Sequence, residues 1–465
     1  MKFDVPVKKN EQYEIEIIDI GSNGEGIGKI DNFTVFVENA VVGDILDILI
    51  LKVKKSFAYG KILDIKKKSI FRTEPVCPYA FRCGGCQLQH ISYENQLQYK
   101  EKKVRDCLER IGGLEDVPVS PIIGMKEPYY YRNKAQFPVG ERNGKNSIGF
   151  FAKRSHAIID IETCYLQQQY NDKVIKTIRD FLTNYKVPIY DEQTHTGIVR
   201  HVLTRIAFVT KEIMVCIVIC GKQLPYLNEL VEELKKIKGI ASIVINENSE
   251  RTNVILGNRT KTVWGKDTIT DFIGNIKFEI SLLSFFQVNP VQTKILYEKA
   301  LEFAQLTNKE TVIDIYCGIG TISLFLAQKA KWVYGIEIVP EAIQDAKKNA
   351  QINNIENTTF LVGEAEEIIP QLYEKEVQAD VVVVDPPRKG CEEKVLETII
   401  KMKPQRVVYV SCDPATLARD LKILTQNGFE VRAVQPVDQF PMTIHVETVV
   451  LLSLKSGTPK IEVTM

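Results

Sequence analysis

Two kinds of hydrophobic pattern divide the chain. From residue 1 to about 70, apolar and polar side chains alternate, as in Tyr13-Glu14-Ile15-Glu16-Ile17, and turns such as Gly21-Ser22-Asn23-Gly24 separate the alternating runs. Short strands at this spacing predict a small OB-like β-barrel. From 281 to 465, β-branched runs alternate with stretches of helical periodicity. That alternation predicts an α/β, Rossmann-like domain with a mostly parallel sheet.

The strands of the α/β domain can be predicted individually. They are expected at 312–316, 332–336, 358–362, 380–384, 406–410, 429–435 and 446–454. Helices are expected between the first six. The last two strands follow each other without a helix, so they should form an antiparallel pair that closes the sheet. Residues 71–280 carry a long helix pattern over 88–111 and then mixed α+β patterns. The predicted domains are therefore 1–70, 71–280 and 281–465.

The stretch from Thr311 to Thr321 predicts a ligand site. Its β-branched run is interrupted at Asp314, ends in the glycine turn that holds Gly318, and is followed at once by a helical pattern. Strand, tight turn and helix open many nucleotide-binding sheets. One strand later comes Glu337, whose carboxylate could accept hydrogen bonds from a ribose. Only two glycines and no Walker lysine are present, so S-adenosylmethionine fits better than a pyrophosphate ligand. The alternative is a plain βαβ unit.

Charge indicates local rather than global attraction to nucleic acid. The 60 lysines and arginines are balanced by 59 aspartates and glutamates. Residues 51–72, however, carry eight basic side chains against one acidic, and residues 126–154 carry seven against two, both with aromatics interleaved. This pattern favours RNA binding, although a solvated face is the alternative. No signal region or long apolar run is evident, so a cytoplasmic protein without membrane segments is expected. The protein is also expected to be a monomer.

Three of the ten cysteines are closely spaced. Cys77, Cys83 and Cys86 lie within one segment, and the glycines between the last two let the chain fold back so that sulfurs converge. Three thiolates leave one ligand position open, and Cys164 is the candidate for it. Four thiolates suit an iron–sulfur cluster. A structural zinc ion or unliganded thiols are the alternatives.

Three further side chains are predicted at the carboxyl edge of the α/β sheet, where ligands bind in such folds. Asp385 follows the run Val381–Val384, and Cys412 follows the strand at 406–410. Glu447 opens the last strand, which reaches the same edge if it runs antiparallel to the others. Asp385, Cys412 and Glu447 should therefore converge.

A thiol, a carboxylate and a methyl donor together suggest methylation of a pyrimidine at C5. Cys412 would add to C6 and make C5 nucleophilic, and Glu447 would then remove the C5 proton. The rival thiols are Cys317, which lies in the cofactor turn, and Cys391, which lies in a charged loop. The structural alternative is a buried, inert Cys412 followed by a helix-capping Asp413.

Five motifs resemble those of the RNA (uracil-5-)-methyltransferase family. They are Ser-Phe-Phe-Gln-Val-Asn, Asp-Ile-Tyr-Cys-Gly-Ile-Gly, Asp-Pro-Pro-Arg, Ser-Cys-Asp-Pro and His-Val-Glu-Thr. The resemblance implies a class I methyltransferase domain and an N-terminal TRAM domain that binds RNA. It also implies 23S ribosomal RNA as the substrate. The residues that it implies are Cys412 as nucleophile, Glu447 as proton acceptor, Gln287, Tyr316, Glu337 and Asp385 as contacts of S-adenosylmethionine, and Cys77, Cys83, Cys86 and Cys164 as ligands of a [4Fe-4S] cluster.

Other functions remain to be separated from this one. A transfer RNA uracil-5-methyltransferase shares the chemistry, and a cytosine-5-methyltransferase uses a similar thiol that usually follows a proline, whereas Ser411 precedes Cys412. Amino-group methyltransferases favour an aromatic where this chain has Arg388. A non-catalytic RNA-binding factor for ribosome assembly would need only the barrel and the basic patches.

Overall fold

The alternating N-terminal segment folds as a closed barrel in the computed structural model, which describes residues 5–142, 144–375 and 377–455. Its strands are β1 (Gln12–Ile20), β2 (Gly26–Ile30), β3 (Phe33–Val37), β4 (Ile45–Val53) and β5 (Phe57–Lys67), in the order β1-β2-β3-β5-β4. Alternate side chains such as Ile15, Val35 and Ile48 fill the interior. A Cβ at Gly28 would lie 2.5 Å from the Glu16 carbonyl oxygen, so only glycine allows this close approach of β1 and β2. The predicted barrel is confirmed.

The chain divides into two units. The first comprises 1–103, 150–159 and 440–445, and the second comprises 104–149, 160–439 and 446–465. The three-domain division stays a prediction, and residues 1–4 and 456–465 of its outer domains lie outside the described residues. None of the described helices has the length and apolar character needed to span a bilayer.

The middle of the chain is built on a mixed sheet. Its elements are α1 (Tyr93–Cys107), which continues as a π-helical turn over Leu108–Gly112, β6 (Lys134–Arg142), β7 (Lys145–Phe151), β8 (Ile158–Asp160), α2 (Tyr170–Asn184), β9 (Val199–Ile206), β10 (Ile213–Ile219), α3 (Leu227–Lys235), β11 (Ile240–Glu247), β12 (Arg259–Gly265), β13 (Ile269–Ile273) and β14 (Ile276–Ile280). The sheet order is β12-β11-β10-β9-β6-β7-β8, and β13 pairs with β14. The helix predicted from residue 88 begins later, at Tyr93, because the Gln96 side chain holds the carbonyls of Leu88 and Ile91 in the preceding turns.

The last third of the chain forms the predicted α/β sheet. Its elements are α4 (Pro290–Ala304), β15 (Thr311–Ile315), α5 (Thr321–Ala327), β16 (Trp332–Glu337), α6 (Pro340–Ile352), β17 (Thr358–Val362), α7 (Ala365–Glu374), β18 (Val381–Val384), α8 (Glu393–Met402), β19 (Arg406–Ser411), α9 (Pro414–Gln426), β20 (Phe429–Val437) and β21 (Glu447–Leu454). The order is β17-β16-β15-β18-β19-β21-β20. β21 pairs antiparallel with both β19 and β20, and the other pairs of this sheet are parallel, so the predicted antiparallel closure is confirmed.

Apolar clusters pack against both faces of this sheet. On one face, Leu417 and Leu421 of α9 join Val407 of β19 in a fully buried core. Val104 of α1 and Leu108 of the π-helical turn belong to the same core. Because apolar clusters cover both faces of the sheet, the polar side chains of a ligand site can lie at the carboxyl edge of its strands.

Candidate active site

The first polar group at the carboxyl edge is a glycine turn between β15 and α5. Tyr316, Gly318 and Gly320 have φ angles of 69°, 54° and 81°, so the chain reverses through the left-handed region. The Glu337 carboxylate accepts hydrogen bonds from the backbone N–H of Gly318 at 3.2 Å and of Val339 at 3.1 Å. These bonds fix the carboxylate beside the turn, where it is oriented for a ligand hydroxyl.

Asp314 lies below this turn and is buried within β15. The Ser323 hydroxyl donates to one carboxylate oxygen, and the other, Oδ1, has no hydrogen-bond partner among the described residues. Burial raises the pKa of Asp314 to about 7. A buried acceptor without a donor, next to an open glycine turn and Glu337, fits a ligand that brings amine and hydroxyl donors. S-adenosylmethionine has both, so the residues present fit it.

A second polar segment, residues 282–288, is held from behind by the central sheet. The buried Arg205 side chain of β9 donates to the carbonyls of Leu282 and Ser284. Asn133 donates from its side chain to the Gln287 carbonyl oxygen at 2.9 Å. Because these backbone carbonyls are fixed, the side chains of Gln287 and Phe285 have defined positions. The Gln287 side chain is buried, and the Phe285 ring is exposed.

Cys412, Asp385 and Glu447 meet at the ends of three adjacent strands. Asp385 directly follows β18, which pairs with β19. The antiparallel register of β19 and β21 pairs Ser411 with Thr448, so Cys412 stands opposite Glu447, one residue beyond the last pair. The predicted placement of the three side chains at one edge is therefore what the strand order produces.

The electrostatics of this group are dominated by burial. Burial, followed by the charges of Glu447 and Asp385, raises the pKa of the Cys412 thiol to about 12, and Arg388 acts in the opposite direction. Burial and the nearby Asp385 also raise the pKa of Glu447, which is 3% exposed, well above its usual range. Burial raises the pKa of Asp385 to about 7. The group therefore favours protonated forms, as acid–base sites often do.

Cys412 is also the most accessible of the three candidate thiols. Cys317 and Cys391 are each 5% exposed, whereas Cys412 is only partly buried. The Asp413 carboxylate caps α9 by accepting from the backbone N–H of Ala415 at 2.9 Å and of Thr416 at 3.2 Å. The helix-capping role that the structural alternative gives to Asp413 is thus present, and it fixes the backbone immediately after the thiol.

Three side chains that contribute to this region are not among the predicted site residues. Arg388 is the cation that opposes the raised pKa values of both Cys412 and Glu447. The signal was its position directly after Asp385-Pro386-Pro387 at a strand end. Arg205 positions the segment that carries Gln287, and nothing in its local sequence indicates this. Ile338 is an exposed apolar side chain directly after Glu337, a placement typical of the wall of a cofactor site.

The cysteine-rich segment lies in the first unit and is organised by Gln89. The Gln89 side chain accepts from the Cys77 backbone N–H at 3.3 Å and donates to the Cys86 sulfur at 3.2 Å. Burial raises the pKa of the Cys77 and Cys83 thiols. Cys164 belongs to the second unit. Over the described ranges, no three His, Cys, Asp or Glu side chains are placed so as to hold a metal ion.

Comparison with known proteins identifies the family. Residues 92–455 match the family model for tRNA (uracil-5-)-methyltransferases, and residues 6–63 match the TRAM domain. The chain is 54% identical over 454 residues to an uncharacterized RNA methyltransferase of Clostridium tetani, which covers 97% of this chain and 98% of that protein. It is 53% identical over 456 residues to another from Halalkalibacterium halodurans, with 98% and 100% covered.

The chain belongs to the tRNA (uracil-5-)-methyltransferase family.

A solved structure supports the same assignment for this methyltransferase. The crystal structure of the Pyrococcus abyssi tRNA (uracil-54, C5)-methyltransferase in complex with S-adenosyl-L-homocysteine is similar, with a TM-score of 0.75 and 27% sequence identity. The match covers 95% of this chain and 100% of that one. The chain is therefore an RNA methyltransferase that uses S-adenosylmethionine, and its barrel is a TRAM domain. These findings favour an enzyme over a non-catalytic assembly factor.

Proposed function

We propose that this methyltransferase methylates C5 of a uridine in RNA through a covalent bond between Cys412 and uracil C6. The observation that carries the proposal is the register of β19 and β21, which sets Cys412 opposite Glu447. A nucleophile and a separate base at one sheet edge are what this reaction requires. A transferase that used only proximity would need neither group.

The proposed steps follow from the chemistry of uracil. The Cys412 sulfur adds to C6, and the electron pair of the C5–C6 double bond moves to C5, which becomes nucleophilic. S-adenosylmethionine, when bound, would supply the methyl group that C5 accepts and would leave as S-adenosylhomocysteine. Glu447 then removes the C5 proton, the C5–C6 double bond forms again, and Cys412 leaves as a thiolate.

Cys412 must lose its proton to solvent before it can add, and Glu447 must be ionised before it can accept the C5 proton. The Cys412 pKa of about 12 in the structure means that the thiol form predominates at neutral pH. Arg388 is the residue of this chain whose charge favours the thiolate. A cationic methyl donor nearby would act in the same direction, because an opposite charge within a few ångströms lowers a thiol pKa.

The RNA substrate is proposed to be 23S ribosomal RNA. The support is the resemblance to the TRAM-containing branch of the family. A transfer RNA substrate is the second candidate, because the similar Pyrococcus abyssi structure is named as a tRNA (uracil-54, C5)-methyltransferase and the match covers 95% of this chain.

We expect cells that lack the gene to lose 5-methyluridine from defined positions of 23S ribosomal RNA and to keep it in transfer RNA. Mass spectrometry of nucleosides from the two purified RNA fractions measures this. The purified enzyme with labelled S-adenosylmethionine should restore the mark in RNA from those cells. Loss of 5-methyluridine from transfer RNA alone would favour transfer RNA, the second candidate substrate. An unchanged content of 5-methyluridine in both fractions would contradict the proposed function.

The TRAM barrel offers a surface for this RNA. The rings of Phe36, Phe57 and Tyr59 form a cluster with centroids 5.5 to 5.9 Å apart. Exposed lysines of β5, such as Lys61 and Lys67, lie on the same strand as two of these rings. Aromatic faces beside cations are suited to single-stranded RNA.

The paired aromatics before Gln287 have different environments. Phe285 is 71% exposed, whereas Phe286 is 2% exposed and packs 5.8 Å from the Phe278 ring. Only Phe285 is therefore available to stack on a base that has left its helix. Stacking on an aromatic contributes about 1–3 kcal/mol per base.

We expect Phe285→Leu to lower kcat/KM for RNA by about 5- to 150-fold, the equivalent of that stacking energy. The affinity for S-adenosylmethionine, measured by calorimetry, should stay the same. Leu283→Ala is the matched control, since Leu283 is an exposed apolar side chain two positions away. Unchanged RNA turnover by the Phe285 variant would rule the ring out as a platform.

An iron–sulfur cluster on Cys77, Cys83, Cys86 and Cys164 is part of the proposal on sequence grounds. Its support is the spacing of the cysteines and the family resemblance. Each thiol would have to lose its proton to become a ligand. No step of the methyl transfer depends on this group.

We expect anaerobic purification to yield a brown protein with about four irons per chain. Cys83→Ala should lose colour and iron, because it removes one ligand. Cys220→Ala, which alters a partly buried thiol outside the motif, should keep both. Elemental analysis and the visible absorption spectrum measure the result. A colourless protein that holds zinc, or no metal, would contradict the cluster.

A further inference from the structure

A cavity of about 620 Å³ opens within the first unit. Three segments line it: the barrel turn around Gly24, the glycines Gly84 and Gly85 between two cysteines, and the chain from Phe150 to Arg154. Its volume falls within the range of roughly 300–1,000 Å³ that small-ligand pockets occupy. It is therefore large enough for one nucleotide.

One wall of the cavity combines aromatic and basic side chains. Phe150 and Phe151 lie at the end of β7 and are partly exposed, and Lys153 and Arg154 follow them. A ring that is accessible on one side can stack a base. The wall is thus suited to an unpaired nucleotide of RNA.

One of the lining residues, Glu25, has a carboxylate with weak partners. The Glu25 side chain is only 8% exposed. Among the described residues, the Glu25 carboxylate accepts a hydrogen bond from the Asn23 side chain at 3.3 Å. The Arg154 guanidinium lies 3.9 Å from Glu25 and is closer to Glu38, at 3.1 Å. A buried carboxylate needs close donors to offset its lost hydration. A ligand with N–H donors would supply them.

A second acceptor among the lining residues also lacks a donor. The Gln87 side chain donates to the Gly84 carbonyl oxygen at 2.9 Å, but its own buried oxygen has no partner in the described part of the chain. The acidic Glu25 and Glu38 balance the basic Lys153 and Arg154, so the cavity does not select a phosphate by charge. The unmet need is for hydrogen-bond donors.

We propose that this cavity binds one unpaired RNA nucleotide whose base carries an amino group, with the Glu25 carboxylate accepting from that group. Adenine, cytosine and guanine each have an exocyclic amine with two N–H donors, whereas uracil offers a single N3–H between two carbonyls. The proposal extends the RNA binding of the family and does not depend on which uridine is methylated.

The test compares two probes that differ in one amino group. Fluorescein-labelled RNA hexamers of adenosine and of purine riboside, which lacks the 6-amino group, are titrated with the full-length enzyme, and anisotropy gives each Kd. No methyl donor and no uridine are present, so the outcome is independent of catalysis. We expect the adenosine hexamer to bind about tenfold more tightly, the scale of one charge-assisted hydrogen bond.

Glu25→Gln should reduce this preference to less than about threefold, because a neutral amide replaces the charged acceptor. Glu14→Gln, the same change at an exposed glutamate of β1 paired with Lys66, is the matched control and should keep the preference. A ratio of two affinities on one folded protein is insensitive to partial loss of stability. Equal binding of the two hexamers by the unaltered enzyme would overturn the proposal, as would no binding of either, or an unchanged preference in Glu25→Gln.

Discussion

Cys412→Ala is expected to lower methyl transfer to RNA by at least about 10⁴-fold, since it removes the nucleophile on which every later step depends. The affinity for S-adenosylmethionine should be nearly unchanged, because Cys412 lies at the end of β19 whereas the glycine turn follows β15. Transfer of labelled methyl groups to RNA measures the first quantity, and calorimetry measures the second.

Two control variants separate this role from a general effect of losing a thiol. Cys391→Ala removes a buried thiol at a residue whose backbone N–H donates to the Asp420 carboxylate. This variant should retain activity despite some loss of stability. Cys412→Ser keeps the size and polarity of the side chain but offers a far weaker nucleophile, so it should be nearly as inactive as Cys412→Ala. Substantial turnover by either Cys412 variant, or inactivity of Cys391→Ala alone, would exclude the covalent mechanism assigned to Cys412.

The raised pKa of Cys412 adds a second readout for the unaltered enzyme. With the thiol pKa at about 12, the thiolate fraction grows with each step toward alkaline pH across the range in which the protein is studied. Single-turnover rates should therefore rise with pH from neutral to mildly alkaline conditions, as long as addition limits the rate.

The α/β sheet could be predicted from the sequence because its signals are local. Runs such as Val381–Val384 are buried on both faces, so they read as continuous apolar strands. The carboxyl-edge rule then locates Asp385 and Cys412 without any further information. The antiparallel last strand follows from the missing crossover helix, and it alone brings Glu447 to that edge.

The arrangement around Gln287 could not be predicted because it depends on contacts between distant parts of the chain. Arg205 and Asn133 hold this segment across 77 and 154 residues of sequence, respectively. The sequence also presents Phe285 and Phe286 as equivalent neighbours, and only packing against Phe278 distinguishes them. Long-range packing of this kind leaves no periodic trace along the chain.

The cysteine segment illustrates a different limit. Spacing indicates that Cys83 and Cys86 can converge, but it says nothing about the amide of Gln89, which contacts Cys77 and Cys86. A ligand set is defined by distances between sulfurs, and those distances depend on side-chain conformations that sequence spacing does not encode.

Glu447→Gln is expected to trap the enzyme on its RNA. The amide has nearly the same shape as the carboxylate but cannot take up the C5 proton, so addition and methyl transfer proceed while release slows by about 10²–10⁴-fold. A covalent protein–RNA adduct should accumulate and appear as a shifted band on a denaturing gel. Mass spectrometry should locate the adduct on Cys412.

Matched variants make this result specific. Glu430→Gln, which changes an exposed glutamate of β20 paired with Arg432 at 3.0 Å, should turn over normally without an adduct. The double variant Cys412→Ala with Glu447→Gln should form no adduct, because the bonding sulfur is absent. Normal turnover by Glu447→Gln would show that another group takes the proton.

The carboxyl that competes for this role is Asp385, and the strand register favours Glu447. Burial raises the pKa of both carboxyls, so the direction of the shift does not separate them. Glu447 stands opposite Cys412 in the pairing of β19 with β21, whereas Asp385 follows β18, which pairs with the other side of β19. Asp385→Asn should therefore weaken binding of S-adenosylmethionine without trapping an adduct. If Asp385→Asn traps the adduct and Glu447→Gln does not, the base is Asp385, and the register that sets Glu447 opposite Cys412 serves only to raise the pKa of the thiol.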